Sequence, residues 1–209
     1  MEFAVWGPIY QEILDDFEFN RKDDERSAII LSDLLSGLPN VDDISVLRRV
    51  IEGKDVLVCG NALTLADDLG AFVLENYIVI AADGATEVLM NIGIVPDIIV
   101  TDLDGNVEKE ICANQKGSFM VVHAHGDNTD KLKKYVPRLN GVIGTTQSNP
   151  LYNVYNFGGF TDGDRSVYLA REFNAAYIEL AGFDFDDNNV SEIKRKKLKW
   201  ANWLINQVL

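Results

Sequence analysis

Apolar positions change rhythm once along this chain. From Val5 to Phe17 they recur at helical spacing, with Val5, Trp6, Ile9, Tyr10, Ile13, Leu14 and Phe17 on one stripe. "DDERSAIILSDLLSGLP" repeats that spacing, with acids in its first turn, Gly37 as a stop and Pro39 beyond it. Residues 1–50 are therefore expected to form a helical segment that packs on the rest of the chain or on a second copy. From Asp55 the pattern shifts to short, continuous apolar runs. "DVLVCG", "YIVIAA", "DIIVT", "SFMVVHA", "GVIGT", "LYNVYNF" and "AAYIELAGF" read as strands. Helical stretches lie between most of them: "ALTLADDLGAFVLEN", "GATEVLMNIG", "NVEKEICANQKG", "NTDKLKKYVPRLN" and "DGDRSVYLAREFN". Strands that are apolar throughout, joined by crossover helices, predict a Rossmann-like α/β fold over residues 51–209. Its sheet is mostly parallel and carries helices on both faces. A last helix starts near Ser191; Ile193, Leu198, Ala201, Leu204, Ile205 and Val208 form its apolar face. The basic run "KRKK" is expected on its solvated side.

Charge narrows the partners. The 209 residues carry a net charge of −14, which argues against nucleic acid and anionic membranes as ligands. No apolar run approaches the ~20 residues of a membrane span, and the acidic start lacks a basic signal region. Cys59 and Cys112 lie far apart with no CxxC, so neither a disulfide framework nor a zinc site is suggested. The expected compartment is the cytoplasm. The same acidity is a puzzle for phosphate chemistry, since an acidic surface repels nucleotides.

The ends of the predicted strands resolve that puzzle. Ligands of open α/β sheets bind at the carboxyl edge of the strands. There the chain places Gly60-Asn61, then Asp83-Gly84, then Asp102, Asp104 and Gly105. His123, His125, Gly126, Asp127 and Asp130 come next, then Thr145 and Thr146, then Gly158, Gly159, Asp162 and Arg165, and finally Asp184. A single Asp-Gly pair is also good turn and capping chemistry, so Asp83 alone decides nothing. Several carboxylates at one sheet edge repel by roughly 3 kcal/mol per pair at 5 Å, which calls for a cation. Oxygen donors without cysteine point to Mg2+, which bridges carboxylates to substrate phosphates. Arg165, one turn into a predicted helix, reads equally as a structural ion pair and as a phosphate clamp. His123 and His125 alternate along a strand end, so only one is expected to face the crevice.

"AADGATEVLMNIGIVPDIIVTDLDGN", "HAHGDNTDKL", "GGFTDGDRSVYLA" and "ELAGFDF" resemble, in order and spacing, the archaeal-type 6-hydroxymethyl-7,8-dihydropterin pyrophosphokinases. The likeness covers most of the chain. A more distant resemblance is to thiamine pyrophosphokinase, at Asp83, Pro96-Asp97, Asp102/Asp104 and Thr129-Asp130. "CGNALTL" departs from the family's Gly-x-Gly-Pro-Ser-Leu type turn, matching only in part at Gly60 and Leu63 to Leu65. The resemblance implies Mg2+-dependent transfer of diphosphate from ATP, as co-substrate, to a hydroxymethyl pterin, releasing AMP. It implies Asp102, Asp104 and Asp127 as metal ligands with Asp130 in support, and Arg165 on the transferring phosphate. Gly60, Asn61, Asp83, Gly84, His125, Asn128, Thr145, Asp162 and Asp164 would then contact the nucleotide or acceptor. Thiamine as acceptor, and a glycosyltransferase built on the Asp-x-Asp of "TDLDG", remain open alternatives. So does a nucleotide- or metal-binding regulator whose acids serve only as caps. A homodimer is expected only by likeness to the thiamine enzymes.

Overall fold

The computed structural model describes residues 2–39, 41 and 43–209. Seven strands run parallel in one sheet: β1 (Asp55–Cys59), β2 (Ile78–Ala82), β3 (Ile98–Thr101), β4 (Phe119–Ala124), β5 (Val142–Thr146), β6 (Val154–Tyr155) and β7 (Tyr177–Ala181). Their order is β6-β5-β4-β3-β2-β1-β7, so the chain walks outward from β1 and returns to the opposite edge. Nine helices accompany them among the described residues: α1 (Phe3–Phe17), α2 (Arg21–Ser36), α3 (Ser45–Ile51), α4 (Leu65–Asp68), α5 (Ala85–Asn91), α6 (Val107–Gln115), α7 (Thr129–Tyr135), α8 (Asp162–Glu172) and α9 (Glu192–Asn206).

Alternation along the strands explains why both faces are covered. In β1, Leu57 and Cys59 point to one face, where α2, α5, α6 and α7 bury Leu31, Leu89, Ile111 and Leu132. Val56 and Val58 point to the other, where α3, α8 and α9 bury Leu47, Val167 and Ile205. A third cluster joins α1 to α8 and α9 through Trp6, Tyr10, Ile13, Tyr168 and Leu204. The two leading helices are thus part of the packing: α2 contributes Ala28, Leu31 and Leu35 to the main core, and Trp6 Nε1 donates to the Gln147 carbonyl at 2.8 Å.

Two predicted elements are corrected. "ALTLADDLGAFVLEN" forms only the four-residue α4 and two 3-10 turns, Leu69–Ala71 and Leu74–Asn76. Leu63 is fully exposed, and Asp68 turns inward to accept from Gly182 N at 2.9 Å. Gly70 weakens helix continuation at that point. "LYNVYNF" pairs with β5 at two residues only, because Leu151 folds back to bridge Val154; the Asn153 side-chain amide holds this turn to the Ser32 carbonyl, 3.0 Å away on α2.

Candidate active site

The carboxyl ends of β1 to β5 and β7 open into one cleft of about 670 Å³. α8 crosses behind β1, β2 and β3, so its first turn arrives over the centre of the sheet edge. There Asp83 (after β2), Asp102 (after β3) and Asp162 (first residue of α8) converge, each offering an oxygen within 4.8 Å of the others. All three line the cleft.

Each carboxylate is held. Thr101 Oγ1 donates to Asp83 Oδ1 at 2.8 Å, and Gly105 N donates to the same oxygen at 3.1 Å. Glycine at 105 leaves room for the carboxylate, since a Cβ there would lie 2.7 Å from Asp83 Oδ2 and push it aside. Asp83 (φ 40°) and Leu103 (φ 64°) both adopt left-handed backbone, a strain that clusters where geometry matters more than local comfort. Leu103 N donates to Thr101 Oγ1 at 2.8 Å, which fixes the turn between Asp102 and Asp104. Asp102 Oδ2 faces His125 Nε2 at 3.1 Å, and Asn128 Nδ2 holds the Asp102 and His123 carbonyls at 2.9 and 2.7 Å. Asp162 Oδ1 accepts from Arg165 Nη1 at 2.7 Å, and Arg165 Nη2 donates to the Phe160 carbonyl at 2.8 Å.

The electrostatics separate the three acids. Burial pushes the Asp102 carboxyl up, but the hydrogen bond and charge of His125, with Arg165 and Lys131 behind, leave it below the ordinary value. For Asp162, burial and the charge of Asp102 win over Arg165, and its pKa is raised well above normal. Asp102 Oδ1 is buried with no partner from the protein. An ionised, orphaned oxygen beside two further carboxylates suits a hard divalent cation with oxygen ligands, and the residues present fit Mg2+.

The other anticipated residues divide. Gly60, Asn61, Gly84, Asp104, His125, Asp127 and Arg165 line the cleft. Asp104 and Asp127 sit exposed at its mouth, and Asp104 pairs with Lys131. Asn128, Thr145, Asp130 and Asp164 lie outside the lining. Asn128 clamps the β3 and β4 ends through the two carbonyls it holds. Thr145 Oγ1 meets His123 Nδ1 at 3.1 Å inside the sheet, so His125 is the histidine that faces the cleft. Asp164 is fully buried; it accepts from Thr161 N (3.0 Å), Thr161 Oγ1 (2.7 Å) and Phe160 N, fixing the loop that starts α8. Arg165 is 4% exposed, with its terminal nitrogens engaged on Asp162 and Phe160.

Residues 31–190 match the family model described as 6-hydroxymethylpterin diphosphokinase MptE-like. The chain belongs to the MptE-like family. It is 44% identical to the 6-hydroxymethyl-7,8-dihydropterin pyrophosphokinase of Methanothermobacter thermautotrophicus, over 99% of this chain and 94% of that protein. Proteins of the same name from Methanocaldococcus jannaschii and Pyrococcus furiosus are 40% and 41% identical, over 99% and 98% of this chain and 95% and 93% of their own lengths. Among solved structures, the MAf glycosyltransferase of Magnetospirillum magneticum AMB-1 superposes with a TM-score of 0.52 at 15% identity. That match covers 82% of this chain but 29% of the glycosyltransferase, and it shows a shared fold alone.

Several residues of this MptE-like site escape a reading by strand ends. Glu110 shares a buried helical face with Val107, Ile111 and Asn114 on α6, and Thr101 Oγ1 lies 3.0 Å from its Oε1. A charged residue on an apolar stripe was the available signal. Asp24 of α2 accepts from Tyr10 Oη (2.6 Å), Gln147 Nε2 (2.7 Å) and Gly126 N (2.8 Å), which ties the leading helices to the cleft. Lys194 and Lys197, assigned to a solvated face, line the cleft instead.

Proposed function

We infer that the chain is a 6-hydroxymethyl-7,8-dihydropterin pyrophosphokinase, a transferase acting on small molecules. The observation that carries this reading is identity of 40–44% to three proteins of that name over nearly their whole lengths. The site geometry agrees with it: a cleft of a size usual for small-molecule ligands has three acids at its centre. In the reaction, the pterin hydroxymethyl oxygen attacks the β-phosphorus of ATP. The bond between the α- and β-phosphates breaks, giving the pterin diphosphate and AMP.

Asp83, Asp102 and Asp162 would hold Mg2+, whose charge, once bound, offsets that of the phosphate oxygens and of the leaving AMP. The chain's own residues supply position. His125 keeps Asp102 ionised and aimed, Thr101 and Gly105 fix Asp83, and Arg165 fixes Asp162. Asp104 and Asp127 stand as outer carboxylates at the mouth, and Asp130 lies outside the cleft lining. Phosphoryl transfer through a loose transition state asks mainly for positioning and charge neutralisation, so no general base is assigned. A net charge of −14 and two unpaired cysteines, Cys59 and Cys112, accord with a cytoplasmic enzyme without nucleic-acid or membrane partners. No helix among the described residues is long and apolar enough to cross a membrane.

Thermal or urea unfolding with Mg2+ and ATP tests the metal triad without relying on turnover. At a hundredfold excess over the dissociation constant, the nucleotide should stabilise wild type by about 2.7 kcal/mol. That gain should be lost in Asp102→Asn. Equal stabilisation of the variant would remove Asp102 from the metal site.

A further inference from the structure

The cleft is lined by far more acids than bases. Its cationic residues are Arg165, Lys194 and Lys197. Arg165 is nearly buried and its terminal nitrogens are occupied by Asp162 and the Phe160 carbonyl. Even with a divalent ion on the acidic triad, part of a triphosphate's charge stays uncovered. The two lysines are the groups left to meet it.

Their placement is specific within α9. Lys194 and Lys197 are three residues apart, which puts both ammonium groups on one helical face, together with Leu198 and Ala201 that also line the cleft. Among the described residues neither lysine has a carboxylate within ion-pair distance, although acids stand around the same cleft. Lys197 lies 5.9 Å from the centroid of the Phe160 ring, at the loop that starts α8. Lys196, between them, turns away and pairs with Asp16 of α1 at 2.8 Å. The helix is anchored behind by Leu204 and Ile205, both buried, so the two amines extend from a fixed support.

We propose that Lys194 and Lys197 of α9 form the phosphate-holding arm of this cleft and bind the triphosphate of the nucleotide donor. This rests on the diphosphotransferase reading of the cleft. The arm covers the charge that the acidic triad and its cation leave exposed, and it brings a basic helix face to an otherwise anionic crevice. Neither amine exchanges a proton with the reacting oxygens; both act by charge and hydrogen bonding alone.

The test compares Lys194→Gln, Lys197→Gln, the double variant and Lys197→Arg, with Lys199→Gln as a control on the same helix but outside the cleft lining. Binding of α,β-methylene-ATP, whose bridge cannot be cleaved, is measured with Mg2+ by calorimetry, and AMP release is followed in parallel. Each glutamine should weaken the analogue roughly tenfold and the pair roughly a hundredfold, as expected for charge-assisted hydrogen bonds. Lys197→Arg should stay within about threefold, since the charge is kept. Lys199→Gln should match wild type, and binding of the pterin alone should be unchanged throughout. A double variant that binds the analogue as tightly as wild type overturns the proposal. If wild type releases AMP but binding ignores the lysines, the arm is wrong and the function stands. If wild type binds the analogue through the lysines yet releases no AMP with the pterin, the function fails and the arm stands.

Discussion

Glu110 offers a sharp test of the packing behind the site. The side chain is 1% exposed on α6, and Thr101 Oγ1 lies 3.0 Å from its Oε1 and 2.8 Å from Asp83 Oδ1. The threonine hydroxyl has one proton and cannot serve both acceptors at once, so a protonated Glu110 satisfies the group better than a charged one. Burial, and next the charge of Asp83, push its pKa up to about 9. The unfolded chain ionises the same group near 4.5. Between those values the folded state holds a proton that the unfolded state has released. Stability contributed by the neutral side chain is therefore complete below about pH 4.5 and is lost progressively as pH rises towards 9. The slope is at most about 1.4 kcal/mol per pH unit, or several kcal/mol over the window. Glu110→Gln keeps the shape and cannot ionise. In urea titrations with a chelator present, from pH 5 to 9, the variant should gain on wild type steadily as pH rises. Parallel stability curves, with a gap constant to within about 0.5 kcal/mol, would refute the assignment of a neutral Glu110.

Two further substitutions probe how the site is held. Gly105→Ala would push a methyl group to 2.7 Å from Asp83 Oδ2 at an exposed position. It should cost less than about 1 kcal/mol of metal-free stability while weakening Mg2+ binding at least tenfold, read by calorimetry. Tyr10→Phe removes the 2.6 Å hydrogen bond to Asp24 that helps tie α1 to α2. It should lower urea stability by about 1–2 kcal/mol, because Asp24 keeps its bonds to Gln147 and Gly126.

Much of the architecture was legible because parallel strands are apolar on both faces. "DVLVC", "IVIAA" and "IIVT" read as strands, and all are strands. The order β6-β5-β4-β3-β2-β1-β7 was not legible, since nothing in an apolar run records which neighbour it pairs with. Helical spacing misled at "ALTLADDLGAFVLEN", where Asp68 is drawn to the Gly182 amide and Leu63 has nothing to pack on. At the site, the polar residues placed directly after each strand mark the sheet edge. That rule brings Asp83, Asp102 and Asp162 to one edge, but it cannot tell which acids turn inward. The left-handed turn at Leu103 sends Asp102 to the triad and Asp104 to Lys131. The lysines of α9 were hidden for a similar reason: a basic run on a helix shows its spacing but not which side meets a cleft.

Product analysis tests the assigned reaction most directly. Wild-type protein, Mg2+, ATP and 6-hydroxymethyl-7,8-dihydropterin are incubated together, and the phosphorus-containing products are resolved and counted. AMP and pterin diphosphate should form in equal amounts, with no ADP and no AMP when thiamine replaces the pterin. AMP formed with thiamine but not with the pterin, or a sugar nucleotide hydrolysed while ATP stays intact, would overturn the assignment.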